Sequence, residues 1–375
     1  MAVSTIDPNG LNIGQIGGTR NRIINGGMVI DQRNAGAAVT PSGGSTYSVD
    51  RWQGQATIDT SKFSIQQSTI VPGGFINSVK ITSLTAYSSP TTDSIQSFKQ
   101  MIELGNIADN GWGTSSAKPM TLSFWIRSSV TGTFSGAVTK YSNGTVERTF
   151  VFTYTISSAD TWEYKNIIIS ADTNSSYVYP STLNGEGVQV RFDLGGSATR
   201  KSSTVGEWVT GNYFGATTAS NFLATNGATM YITGVQLEAG DTATPFEHRS
   251  YGQELALCQR YYEKSYQQSV APGASGQGNT GVVLYIGTGN SVSNGDKLPM
   301  VTFMVVKRTA PTILIWSPAG TSNRLANMAG SDLAAGSATP NVSSDKNFFA
   351  YQNSGGSVSG TSGCVEFHYT ASAEL

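Results

Sequence analysis

Along much of the chain, apolar and polar residues alternate one by one. In "TLSFWIRS", residues 121–128, Leu122, Phe124 and Ile126 fall on one side and Ser123, Trp125 and Arg127 on the other. That is the period of a strand with one buried face. "KYSNGTVERTFVFTYT" sets Asn143-Gly144 between two such runs. Asn-Gly supplies the positive φ of a tight type I′ turn, so a hairpin is predicted. Further Asn-Gly pairs stand at 25, 110, 184, 226 and 294, with strand candidates such as "FINSVKITS", "WEYKNIIIS", "GVQVRFDL" and "TMYITGVQLEAG" between them. Short strands broken at these intervals predict a β-sandwich or jelly roll rather than alternating βα units. No repeat of fixed period suggests a β-helix or propeller.

After "QLEAGDTATPF" the period changes. From Ser250 to Tyr266 there is no proline, and Tyr251, Leu255, Cys258 and Tyr262 recur at spacings of four, three and four, which predicts a helix with an apolar stripe. The Gly-, Ser- and Gln-rich "QQSVAPGASGQGNTG" reads as a linker. Beyond it, "GVVLYIG", "MVTFMVV", "TILIW", "NFFAY" and "CVEFHYT" read as five more strands. The expected organisation is an N-terminal arm (1–20), a jelly-roll domain (21–245), a helix (246–266), a linker (267–280) and a smaller C-terminal β domain (281–375).

Composition agrees with an all-β reading. Of 375 residues only 13% are charged, about half the usual ~25% share. Ser, Thr and 43 glycines fill the gap. The net charge of −1 offers no basic surface for nucleic acid or anionic lipid. The two cysteines, Cys258 and Cys364, form no metal-ligand or redox spacing, and no metal or cofactor is expected. "MAVSTIDPNGLNIGQIGG" has neither a cationic nor an apolar signal region, and no run has membrane-spanning length. Synthesis in the cytoplasm is the expectation, with release by lysis or within a particle if the protein works outside the cell that made it.

Catalytic motifs find little support. Gly276, Gly278 and Gly281 spell G-x-G-x-x-G, but after a linker and before a strand, the wrong context for a dinucleotide. "GGSVSG" reads as a turn, since its glycines are misplaced for a nucleophile elbow. His248, between Glu247 and Arg249, reads as part of a clasp closing the sandwich rather than a proton-transfer group. His368 reads as a strand residue satisfied by hydrogen bonds. Asp50, Glu238 and Asp241 could ligate calcium, but loop acids are more often solvated. A non-enzymatic protein is expected.

The aromatics suggest binding instead. Trp112, Trp208, Tyr213 and Trp316 sit near turns beside Asn, Thr and Asp. Flat rings beside polar side chains suit sugars, which present C–H faces and hydroxyl edges together. The competing reading is that such rings cap a sandwich core. The helix stripe of Tyr251, Leu255, Cys258 and Tyr262 must be buried in its own chain or against symmetry copies. Gln253, Glu254, Gln259, Glu263 and Lys264 are expected outward, or paired between subunits. Trp52 is expected inward and Arg51 paired with a carboxylate.

"NRIINGGMVIDQRNAG" (21–36), "YSVDRW" (47–52), "ITGVQLEAGDTATPFEHRSYGQELALCQRYYEKSY" (232–266) and "FHYTASAEL" (367–375) together resemble a family of tailed-bacteriophage and prophage fibre proteins. The resemblance implies a carbohydrate-binding-module-like jelly roll, a short helix and a C-terminal β domain in a homotrimeric virion fibre. It implies structural and receptor-binding roles, with no catalytic residues. The expected partners are a tail or capsid adaptor, reached through residues 1–20, and host-surface polysaccharide. A capsid-bound fibre or decoration protein, and a glycan hydrolase or esterase on the fibre, are the alternatives.

Overall fold

The computed structural model describes residues 20–142, 145–177, 179, 182–278, 280–286, 291–333, 336–342, 344–353, 358–359 and 364–375. The expected docking arm through residue 19, the Asn143-Gly144 turn and most of "GGSVSG" lie outside them. Contacts divide the chain into two units. The first runs through Val29, Val39–Thr46 and Trp52–Arg249, and the second comprises Ile30–Ala38, Tyr47–Arg51 and Ser250–Leu375.

The first unit contains β1 (Gly44–Tyr47) up to its last residue, β2 (Trp52–Thr57), β3 (Phe63–Ser68), β4 (Ser78–Ser83), β5 (Ile95–Glu103), β6 (Met120–Ser128) and β7 (Gly132–Ser142). They are followed by β8 (Thr145–Ile156), β9 (Glu163–Ile169), β10 (Glu186–Asp193), β11 (Lys201–Ser202), β12 (Trp208–Thr210), β13 (Gly215–Ala216) and β14 (Thr229–Ala239). One sheet has the order β1-β2-β5-β10-β7-β8-β12 and the other β3-β4-β14-β6-β9. Together they form an antiparallel sandwich of jelly-roll type. β7 and β8 pair from Gly132↔Ile156 to Ser142↔Thr145, as the hairpin pattern predicts.

Alternation decides what the sandwich buries. Leu122, Phe124 and Ile126 of β6 are fully buried. Phe124 meets Tyr154 and Phe192 of the facing sheet edge-on, at 5.3 and 5.0 Å between ring centres. Trp52 is fully buried and stacks on Phe98 at 4.8 Å. Burying rings of this size, some 150–250 Å² each, dominates the energetics of such a core. The ends of the unit are clasped as "EHR" predicted: Glu247 accepts from the Asn21 N–H at 2.8 Å, and Arg249 donates to the Ile23 carbonyl at 3.1 Å. Glu238 is held by the Thr244 N–H and hydroxyl. No cluster of three metal-ligating side chains occurs among the described residues.

The second unit holds α1 (Tyr251–Gln259), β15 (Tyr262–Lys264), β16 (Val283–Ile286), β17 (Ser291–Val292), β18 (Val301–Thr302) and β19 (Thr312–Trp316). The remainder are β20 (Ala326–Asn327), β21 (Ala338–Val342), β22 (Asn347–Gln352), β23 (Val358–Ser359) and β24 (Cys364–Ser372). β24 is the hub, pairing with β15, β16, β19 and β20. Phe348 packs between Phe303 and Tyr369, at 5.8 and 5.0 Å.

The helix is shorter than its sequence suggests. It opens with a capping box, in which Ser250 accepts from the Gln253 N–H and the Gln253 side chain accepts from the Ser250 N–H. It stops at Gln259, and Tyr262 belongs to β15, whose pairing Tyr262↔Ser372 draws the chain into the sheet. Glu254, Glu263 and Lys264, expected outward, are buried. Glu263 pairs with Lys307 at 2.6 Å and accepts from the Tyr369 hydroxyl at 2.8 Å. Arg51 pairs with Glu374 and lies over the Tyr261 ring at 3.5 Å. His368 is fully buried, with Nδ1 at 2.9 Å from Ser265 Oγ and Nε2 at 3.1 Å from the Gln277 carbonyl. The carbonyl requires a proton on Nε2, so Nδ1 accepts from the Ser265 hydroxyl. Both cysteines are free and buried.

Candidate functional site

Of the four aromatics singled out for sugar stacking, Trp112, Trp208 and Tyr213 belong to the first unit and Trp316 to the second. Trp112 is 1% exposed, donates through Nε1 to the Lys118 carbonyl, and meets Trp208 edge-on at 4.8 Å. It caps the core and offers no free face, a correction to its expected role as a platform. Trp208 is half-buried, donates to the Ser170 carbonyl at 2.7 Å and touches Phe150. A buried ion cluster lies in the same part of the unit, with Asp172 3.3 Å from Lys140 and 3.2 Å from Arg148. Tyr213 packs on Ala137, Val151 and Ala216. Trp316 belongs to β19 of the second unit, beside Gly273. Of the helix stripe, Tyr251 is 53% exposed, Leu255 is half-buried, and Cys258 and Tyr262 are buried.

A row of rings begins on the outer face of the five-stranded sheet. Trp125 of β6 faces its register partner Tyr164 of β9 at 5.4 Å. Tyr164 is 44% exposed. Phe75 joins the row and continues it to Phe246 and the exposed His248, at 5.1 and 5.4 Å. Gly234, with φ of +61°, makes this possible, because a Cβ there would meet the Phe75 ring at 2.6 Å.

The seven-stranded sheet is different. In β5, Phe98 and Ile102 point inward with Gln100, so Ser97, Lys99, Met101 and Glu103 point outward. In β10, Val188, Val190 and Phe192 point inward, and Gln189, Arg191 and Asp193 outward. An outward polar face is ordinarily solvated. Here every one of these outward side chains is buried. Strand register groups them into rows: Gln53, Lys99, Arg191, Ala137 and Val151 in one, and Met101, Gln189, Thr139 and Thr149 in the next.

One end of the face is covered by the chain itself. Ala216 packs on Ala137 and Val151, and Phe214 lies 3.6 Å from the Arg191 guanidinium. Lys201 pairs with Asp193 at 3.3 Å. Away from this cover, Lys99, Met101 and Tyr141 keep 6%, 6% and 8% exposure. Several polar atoms on the face have no hydrogen-bond partner within the described protein: Ser97 Oγ, Thr139 Oγ1, Gln189 Nε2, Arg191 Nη1 and Gln55 Oε1. A buried polar atom left unpaired costs about 1–3 kcal/mol. The environment also strains the charges. Burial, reinforced by the neighbouring Arg191 charge, pulls Lys99 down to about 7, and burial lowers Arg191 to about 10. Burial pushes the Tyr141 phenol up. At the far end of the strands Glu103 and Glu186 are register partners.

No family model matches the chain, and no curated protein matches it. Among solved structures it is similar to TmCBM61 in complex with β-1,4-galactotriose, over 59% of this chain and 99% of that one, with 13% identity and a TM-score of 0.29. It is similar to the CBM22-1 xylan-binding domain from Paenibacillus barcinonensis Xyn10C over 56% of this chain and 99% of that one, with 10% identity and a TM-score of 0.28. The enzymatically active domain of Bacteriophage CBA120 tailspike protein 4 matches over 58% of this chain but only 21% of its own, with 14% identity and a TM-score of 0.28.

Proposed function

We propose that the sandwich unit binds saccharide on the outer face of its seven-stranded sheet, and that the chain is a virion appendage protein, a tail fibre or its equivalent, that attaches to host-surface glycan. The carrying observation is the set of buried polar atoms without protein partners, Ser97 Oγ, Thr139 Oγ1, Gln189 Nε2 and Arg191 Nη1, on one outward face. Hydroxyl-rich ligands satisfy such donors and acceptors, while Met101 and Tyr141 supply apolar surface for C–H faces. The likeness of residues 21–36, 47–52, 232–266 and 367–375 to phage fibre proteins supports the appendage role. Residues 1–20 then serve as the docking arm, and the fibre is a homotrimer.

The test is a glycan microarray probed with the full chain and with Gln189→Ala, Thr139→Val and Trp125→Ala. Binding should be weakened at least tenfold by the first two and kept by the third. Loss only in Trp125→Ala would move the site to the aromatic row of the other sheet, and binding to no glycan would overturn the reading. One observation favours an enzyme instead: Glu103 and Glu186 face each other on adjacent strands, and glycoside hydrolysis uses two carboxylates. Host polysaccharide incubated with the chain is expected to keep its length; shortening that disappears in Glu103→Gln would establish the hydrolase.

A further inference from the structure

Lys99 and Arg191 are direct register partners on β5 and β10, and such partners hold their Cβ atoms about 4.5–5.5 Å apart. Lys99 is 6% exposed and Arg191 2%. Arg191 is fixed rather than free to turn away. Its guanidinium lies on the Phe214 ring, and its Nε and Nη2 both donate to Gln189 Oε1. Nη1 is left without a protein partner. Among the described residues no carboxylate lies within ion-pair distance of either cation, and Glu186 acts on Lys99 and Asp193 on Arg191 only through longer-range attraction. Asp193, on the same face, is engaged by Lys201, and Glu186 and Glu103 stand at the far end of their strands.

Two desolvated like charges side by side raise the free energy of the folded chain, and a single anion placed between them removes the repulsion and satisfies the donors. An arginine fork beside a lysine matches the planar oxygens of a carboxylate or the oxygens of a phosphate. We infer that the saccharide taken by this face carries an anionic substituent, seated between Lys99 and Arg191 with adjoining hydroxyls on Gln189 and Thr139. This rests on the saccharide-binding reading above and adds to it the class of sugar.

The experiment uses the full chain on an array carrying neutral, uronate-bearing and phosphorylated oligosaccharides, followed by titration of the best binder. Acidic probes should bind at least tenfold tighter than neutral probes of the same length, and the uronate and phosphate arms distinguish the two sources of charge. Lys99→Gln should abolish that preference, and Lys99→Arg should restore it. Raising NaCl from 50 to 500 mM should weaken acidic probes more than neutral ones. Binding confined to neutral probes, or an acidic preference unchanged in Lys99→Gln, overturns this inference while leaving the face as a saccharide site. Binding to no probe overturns both. Circular dichroism of Lys99→Gln identifies any loss that comes from misfolding, and Lys99→Met provides a second uncharged variant.

Discussion

Lys99 shows how a functional side chain can act against the stability of its own fold. Its value of about 7 in the folded protein lies below the ordinary lysine value of 10.5. Between those two pH values the unfolded chain therefore holds more protons than the folded one, so Lys99 makes stability rise with pH across that window. Below about 7 its destabilising effect is fully present. Arg191 lies across from it, with Glu186, Glu103, Asp193 and Tyr141 on the same sheet. Lys99→Met is expected to raise stability at pH 6 by roughly 1–3 kcal/mol, read from urea unfolding, and to flatten the rise above pH 7. Trp112 behaves in the opposite way. Being buried against Trp208, Trp112→Ala should cost about 3–5 kcal/mol and leave the glycan affinity of the remaining folded protein unchanged. In the second unit, Glu263→Gln removes the negative charge that faces Lys307 at 2.6 Å, and breaking a buried pair costs about 3–5 kcal/mol.

At the scale of the element, alternation in β6, β5 and β10 shows which residues turn inward, and Leu122, Phe124, Phe98 and Phe192 follow it. Alternation does not show what happens on the far side. Arg191 reads along the chain as part of a solvated face, because its cover, Phe214, returns from later in the sequence. Trp112 was illegible for a related reason: beside a turn it reads the same whether its ring lies in solvent or, as here, against Trp208. The helix ran long in the sequence because Tyr262 satisfies the helical spacing while its backbone pairs with Ser372, a contact 110 residues away in the chain. The sheet leaves little slack between its strands. A Cβ at Gly136 of β7 would fall 2.3 Å from the Arg191 carbonyl and 2.5 Å from the Phe152 ring. Gly136→Ala should therefore destabilise the first unit by about 1–3 kcal/mol and weaken ligand binding, because the intruding atom presses on the strand that carries Arg191.

At the scale of the molecule, the proposed fibre role makes assembly the decisive property. Light scattering of the purified chain is expected to give about three times its mass of 39.5 kDa. Three weak saccharide sites on one closed assembly gain several orders of magnitude in avidity, so whole particles should adsorb far more tightly than the isolated chain binds oligosaccharide. A monomer would turn the reading toward a decoration protein or a single binding module. The composition of the second unit also sets a timetable for biosynthesis. It draws on Ile30–Ala38 and Tyr47–Arg51 as well as on everything from Ser250 onward, and its hub strand is Cys364–Ser372. Arg51 finds its partner at Glu374, 323 residues later in the chain. This unit therefore cannot close until Cys364–Ser372 has been synthesised, and a chain truncated before that strand lacks the partner with which β15, β16, β19 and β20 pair.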